Sequence, residues 1–324
     1  MAAKFGPTDG VDGVDGVDGV DGVQSEGAQR GAPAYRPIGI SPDPQPLNGS
    51  WPGNRWPPVY PVKLIGGRPA ALHQIFGVRA VTANGPLPAP SYPRRAWSPD
   101  HLAIAILTEF VGVDLGVGAA ARRWSDVQVA PPFDRAAGGH ALTGRTLDEE
   151  IEELIGLIEY RGGVMAEAMT QRDQMLGYWR GVLSFTRASH PATFELARAA
   201  AQIGQFMAHH IKWQFQFPRP SQLAPALMPE IDPPGHASYP SGHSTEAHLI
   251  SAALKYALPA VASGGAPVAL DRLADRVARN REVLGVHFPR DSAAGKVIAM
   301  ASLPIFRACP TVVALEAEAQ AEWA

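Results

Sequence analysis

Residues 191–212 read PATFELARAAAQIGQFMAHHIK, and this stretch decides the fold. Proline is well placed at the first position of a helix, where its missing N–H has no intrahelical partner to lose. Behind Pro191, Phe194, Leu196, Ala197, Ala200, Ala201, Ile203, Gly204, Phe206 and Met207 recur at helical spacing. The pattern predicts a helix that runs on towards Lys212 and ends before Pro218.

The texture on either side agrees. Thr146 and Glu149 form a capping-box pair ahead of Ile151, Leu154, Ile155 and Ile158, which share one helix face. Further helices are predicted from Thr245 to Tyr256, from Leu270 to Leu284 and from Asp291 to about Phe306, and strand signals are sparse. The fold class expected is all-α, a helical bundle preceded by a proline-rich extended N-terminal arm.

Three regions follow from composition. Residues 1–30 contain a Gly-Val-Asp repeat, with glycine at 10, 13, 16, 19 and 22, and read as a flexible acidic tail. Residues 31–99 carry prolines every few positions, which excludes a long helix and predicts an extended arm over the body, with Trp51, Trp56, Tyr60, Tyr92 and Trp97 as anchors. Residues 100–324 are expected to be the α-helical, oxyanion-binding catalytic domain.

The chain has 324 residues, 46% hydrophobic and 18% charged, with a net charge of −3. Such a balance, without a basic tract, points away from nucleic acid as a partner. Cys309 is the sole cysteine, so an intrachain disulfide and a cysteine-based zinc site are both excluded. No apolar h-region follows the start, and no run of about 18 apolar residues occurs. A cytoplasmic protein without a membrane span is the expectation.

Three short motifs lie within this helical half: Lys212 with Arg219-Pro220, then Pro240-Ser241-Gly242-His243, then Arg281 with His287 and Asp291. Three cations, two histidines and a Ser-Gly turn are what a tetrahedral or five-coordinate oxyanion requires. Arginine offers forked donors to its oxygens, and lysine adds a compact charge. Pro218 and Pro220 bracket Arg219 and stiffen its approach. The Ser-Gly-His segment is placed just before a helix, whose first N–H groups and dipole favour an anion. Asp291 is expected as the N-cap of the last helix, where its carboxylate can hold one nitrogen of His287. The other nitrogen is then free to attack a phosphorus or to bind a metal.

Taken together, the motifs resemble the superfamily of vanadium-dependent haloperoxidases and type-2 phosphatidic-acid phosphatases, which includes bacterial acid phosphatases. The resemblance covers roughly residues 191–306 and is complete, except that Asn280 stands where a serine is frequent. It implies that Lys212, Arg219, Ser241, the Gly242 N–H and Arg281 bind the oxyanion. It also implies His243 as acid–base residue, and His287 as vanadium ligand in a peroxidase or phosphorylated nucleophile in a phosphatase. His236, seven residues before His243, stands where bromoperoxidases of the family have a second histidine.

On that ground the reading favoured is a vanadate-dependent haloperoxidase. It would use hydrogen peroxide, a halide (bromide or iodide) and a small organic substrate, with Lys212 polarising bound peroxide and Asp291 orienting His287. The alternative is a phosphatase acting on phosphomonoesters through a phosphohistidine, since phosphate fits the vanadate site. A non-enzymatic oxyanion binder is a third class. Trp213, Phe215 and Phe217 either line the entrance or pack in the core. His209, His210 and His248 lack accompanying carboxylates and are declined as metal ligands. A homo-oligomer is left open.

Overall fold

A computed structural model describes residues 94–133, 138–258 and 265–324, with the short strands β1 (Leu64–Ile65) and β2 (Arg68–Pro69), which pair antiparallel. The Gly-Val-Asp repeat and the anchors Trp51, Trp56, Tyr60 and Tyr92 lie outside the described residues. Trp97 is described and is 40% exposed.

Ten α-helices occur among the described residues, in chain order α1 (Pro99–Gly112), α2 (Leu147–Gly156), α3 (Arg161–Gln174), α4 (Leu176–Leu183) and α5 (Pro191–Phe215). They continue with α6 (Pro220–Leu223), α7 (Gly242–Ala257), α8 (Ala266–Val283), α9 (Pro289–Arg307) and α10 (Pro310–Glu322). This is the all-α architecture expected. Five of the helices, α1, α5, α6, α9 and α10, begin with proline. The same residue that excludes helix in the arm therefore starts helices in the body, because φ near −65° suits the first turn.

Helix α7 is the centre, and α5, α8 and α9 pack around it. Its residues from Gly242 to Leu254 are buried without interruption, so it carries no solvent-facing stripe. Helix α5 likewise buries Phe194, Leu196, Ala200, Ile203, Met207 and Ile211, and its N-terminus is held from outside. The carboxylate of Glu322 accepts from the Ala192 and Thr193 N–H groups (2.7 and 3.0 Å) and from Thr193 Oγ1. No single described helix is long and apolar enough to cross a membrane, although α9 and α10 pass together as a pair bent by 91°. Both bury much of their surface in the bundle, Ile298, Leu303, Phe306, Val312 and Leu315 among it. Cys309 is also buried, which pushes its thiol up to about 12 and keeps it protonated.

Two glycines bring the central helices unusually close. A Cβ added to Gly204 of α5 would lie 2.8 Å from the Glu246 Cα of α7. One added to Gly295 of α9 would lie 2.8 Å from both the Ser241 carbonyl oxygen and the Ser244 Cβ. Glycine inside a helix costs about 1 kcal/mol relative to alanine, so its presence needs a packing reason; here the reason is backbone approach. Gly295→Ala is expected to destabilise the protein by about 1–3 kcal/mol through overpacking. Thermal melting would measure it, and an unchanged melting temperature would mean that α9 does not lie this close to α7.

Candidate active site

The predicted site residues converge where the end of α5, the start of α7 and the α8–α9 turn meet. The turn is made by Gly285, at φ +73°, where glycine has no Cβ penalty. Its N–H donates to the Glu282 carbonyl, and the Val286 N–H donates to that of Arg281. A side chain at 285 would meet Arg161 Nη2 at 2.8 Å. Arg161 had no signal in the sequence. It is buried and donates to the carbonyls of Val283, Leu227 and Met228, which ties the turn to the loop after α6.

His287 leaves this turn buried, with Nδ1 2.9 Å from Asp291 Oδ2. A carboxylate only accepts, so Nδ1 carries the proton and Nε2 keeps its lone pair. Asp291 is not the N-cap expected from the sequence. Phe288 is the N-cap, and Asp291 is the third helical residue, whose carboxylate reaches back to the Phe288 N–H at 3.1 Å. Pro289 occupies the first helical position, which moves the cap one residue upstream of it. The same oxygen, Oδ2, accepts from Ser238 Oγ at 2.5 Å, a contact that the sequence did not point to.

Three cations are buried at the site. Lys212 donates Nζ to the carbonyls of Ala237 and Ser238 at 2.7 and 3.0 Å. Arg219 donates Nε to the His236 carbonyl and Nη1 to that of Val286, at 3.0 and 2.9 Å. Its Nη1 is also 3.0 Å from His287 Nε2. Arg281 donates Nη2 to the Ala168 carbonyl of α3. Carbonyl partners fix where these cations point without neutralising them. Burial drives His287 well below its usual pKa, and Arg219 and Lys212 lower it further. His287 is therefore neutral at pH 7, with a lone pair on Nε2.

The segment before α7 was expected to stop ahead of the helix, but Gly242 and His243 already form its first turn. Ser241 is the N-cap; its Oγ accepts from the Ser244 N–H, and its own N–H donates to the Asp291 carbonyl at 3.0 Å. The first-turn N–H groups of α7 have no intrahelical acceptor and form the end of a helix dipole that favours an anion. His243 is 4% exposed. Trp213 and Phe217 resolve oppositely, the first 81% exposed and the second packed in the core against Phe288. Among the described residues, no three His, Cys, Asp or Glu side chains come together to hold a metal ion.

Residues 196–313 match the family model described as the PAP2 superfamily. Over that stretch the chain is similar to the PAP2 superfamily. Its span contains every site residue from Lys212 to Asp291. No curated protein matches the chain. A solved structure titled the first transmembrane PAP2 type phosphatidylglycerolphosphate phosphatase from Bacillus subtilis is similar, at 16% identity and a TM-score of 0.37. The similarity covers 64% of this chain and 94% of that one.

The family match overturns the haloperoxidase expectation: it is to the PAP2 superfamily over residues 196–313 and contains nothing particular to a haloperoxidase, so the alternative reading is the one taken forward. With the haloperoxidase go the peroxide and halide partners and the role of His287 as vanadium ligand. His236, on which that expectation rested, does not distinguish the two readings. Its Nδ1 lies 3.0 Å from Arg219 Nη2 while its carbonyl accepts from Arg219 Nε. It orients a cation of the candidate site, and that service is the same for any oxyanion.

The His287–Asp291 pair also predicts a pH profile. Burial raises the Asp291 carboxyl to about 6, against the lowering pull of Ser238, the Phe288 N–H and the two nearest cations. A first proton taken up by the pair blocks reaction at either address. On His287 it consumes the Nε2 lone pair; on Asp291 it turns the acceptor into a donor and forces the Nε2–H tautomer. Activity (kcat/KM) is expected to fall as pH drops through about 6. Asp291→Asn should lower kcat by about 10²- to 10⁴-fold and remove that limb. A full acid limb in the Asn variant would assign it to another group.

Proposed function

We propose that this protein is a phosphatase that hydrolyses phosphomonoesters through a phosphohistidine on His287. The observation that carries the reading is the buried His287, with Nδ1 on Asp291 at 2.9 Å and Nε2 facing Arg219 at 3.0 Å. Phosphoryl transfer needs positioning and charge stabilisation above all. Lys212, Arg219, Arg281 and the α7 N-terminus supply both.

A substrate phosphate oxygen that takes the Arg219 Nη1 donor leaves the His287 lone pair facing phosphorus. His287 Nε2 forms the N–P bond as the ester P–O bond breaks, and His243 delivers its proton to the leaving alcohol oxygen. Asp291 stabilises the imidazole as it becomes positive. Water then attacks phosphorus, His243 takes its proton back, and the N–P bond breaks to release phosphate. Vanadate, the oxyanion expected from the sequence, is carried forward as a mimic of the five-coordinate transition state at the same site.

The test is hydrolysis of 4-nitrophenyl phosphate by the purified chain, with orthovanadate titrated in. Vanadate-inhibited release of nitrophenol and an acid-labile, base-stable phosphoenzyme are the expected results. Absence of both, in a protein that still binds phosphate, would sink the reading in favour of a binding protein.

A further inference from the structure

A groove of about 430 Å³ lies along the outer face of α5, lined by Leu107, Gln205, Phe206, His209, His210 and Trp213 among others. No Lys, Arg, Asp or Glu lines it. Its rings are set by edge contacts, because Trp124 packs against Phe206 and His210 with centroids 5.1 and 4.9 Å apart. One of its lining residues touches the active site. The His209 ring meets His236 edge-on at 4.9 Å, His236 holds Arg219, and Arg219 touches the nucleophile. Along the same helix Lys212 turns inward to the oxyanion site, while Trp213, next in sequence, stands 81% exposed.

We infer that this groove is the subsite for the alcohol portion of the substrate. The occupant it fits is an uncharged, apolar group of one or two rings, esterified to the phosphate bound beside His287. Size supports this, since ligand pockets commonly span about 300–1,000 Å³ and combine apolar walls with a few polar groups. So does the charge pattern, with the cations confined to the phosphate end and no Lys, Arg, Asp or Glu along the groove. Trp213 and His209 are then specificity-determining residues of the phosphatase proposed above, on which this inference rests.

The experiment compares two alkyl monoesters with similar leaving groups, 2-phenylethyl phosphate and glycerol 3-phosphate, on the full chain. Trp213→Ala is expected to lower kcat/KM for the phenylethyl ester about tenfold and to leave glycerol 3-phosphate within about twofold. His209→Ala should act in the same direction. Equal losses on both esters, or none, would overturn the groove while leaving the phosphatase reading standing. A Trp213→Ala variant that changes its elution volume without changing selectivity would overturn it too, by showing a protein surface as the occupant.

A second arm does not depend on turnover. By calorimetry, 2-phenylethylphosphonate should bind the wild-type chain more tightly than methylphosphonate, and Trp213→Ala should remove the difference. If no ester is hydrolysed but this preference holds, the phosphatase reading fails and the groove survives. If the two phosphonates bind alike, the groove fails.

Discussion

His287→Ala is expected to reduce phosphomonoester hydrolysis by about 10⁴-fold or more, because it removes the atom that forms the covalent bond. The phosphoenzyme should vanish with it. Phosphate binding should persist, since Lys212, Arg219 and Arg281 are held by backbone carbonyls rather than by the imidazole. His243→Ala makes the contrast. Without a proton donor for the leaving oxygen, alkyl esters should slow by about 10²- to 10⁴-fold. A nitrophenyl ester, whose oxygen leaves unaided, should slow far less and still form the phosphoenzyme. Single-turnover kinetics with acid and alkaline quench separate the two. Near wild-type turnover in the His287 variant would show that the nucleophile is elsewhere.

The largest loss of stability is expected from Arg290→Ala. Arg290 lies beside Asp291 but faces away from the site, 2% exposed, and its partner Glu150 is fully buried. Its Nε and backbone N–H donate to Glu150 Oε2 at 2.8 and 3.3 Å, and Nη1 donates to the Pro132 carbonyl. Thr143 Oγ1 donates to Glu150 Oε1 at 2.7 Å and would remain the carboxylate's side-chain donor after the substitution. Removing one partner of a buried pair costs about 3–5 kcal/mol. For a protein of this size that lowers the melting temperature by about 4–7 °C. Replacing both residues, as in Arg290→Met with Glu150→Met, should be less harmful than either single change, because no buried charge is left alone. A double variant less stable than both singles would contradict that account.

Much of the fold was legible because the signals are local. The helical spacing after Pro191 predicts α5, which ends at Phe215, ahead of Pro218. The Thr146–Glu149 box forms as read, with the Thr146 N–H donating to Glu149 Oε2 at 2.7 Å. Errors came at helix starts. Asp291 was read as a cap because capping residues favour that place, but the structure puts it three residues into the helix. Its carboxylate still serves the Phe288 N–H from there, so chemistry and position separated. The Gly295 and Gly204 contacts had one sequence signal, a glycine inside a helical pattern. Ser238 and Arg161 had none, since both act on groups at least 50 residues away.

The branch of the family was not legible for a different reason. The cations, His243 and His287 would serve vanadate and phosphate alike, because the two oxyanions share geometry and charge. A single histidine, His236, carried the choice, and its residue type does not say what it touches.

By itself the sequence determined the helical class, the order of the main helices and which side chains are candidates to bind an oxyanion. Those depend on spacing within about one or two helical turns and on side-chain chemistry, which residues carry wherever they lie. Only the tertiary structure decided which atoms meet. It put Arg219 on the lone pair of His287 and Ser238 on Asp291. It also turned Trp213 out towards a groove whose His209 meets the His236 ring. Those pairings depend on how closely α5, α7 and α9 approach, and backbone contact at Gly204 and Gly295 sets that distance.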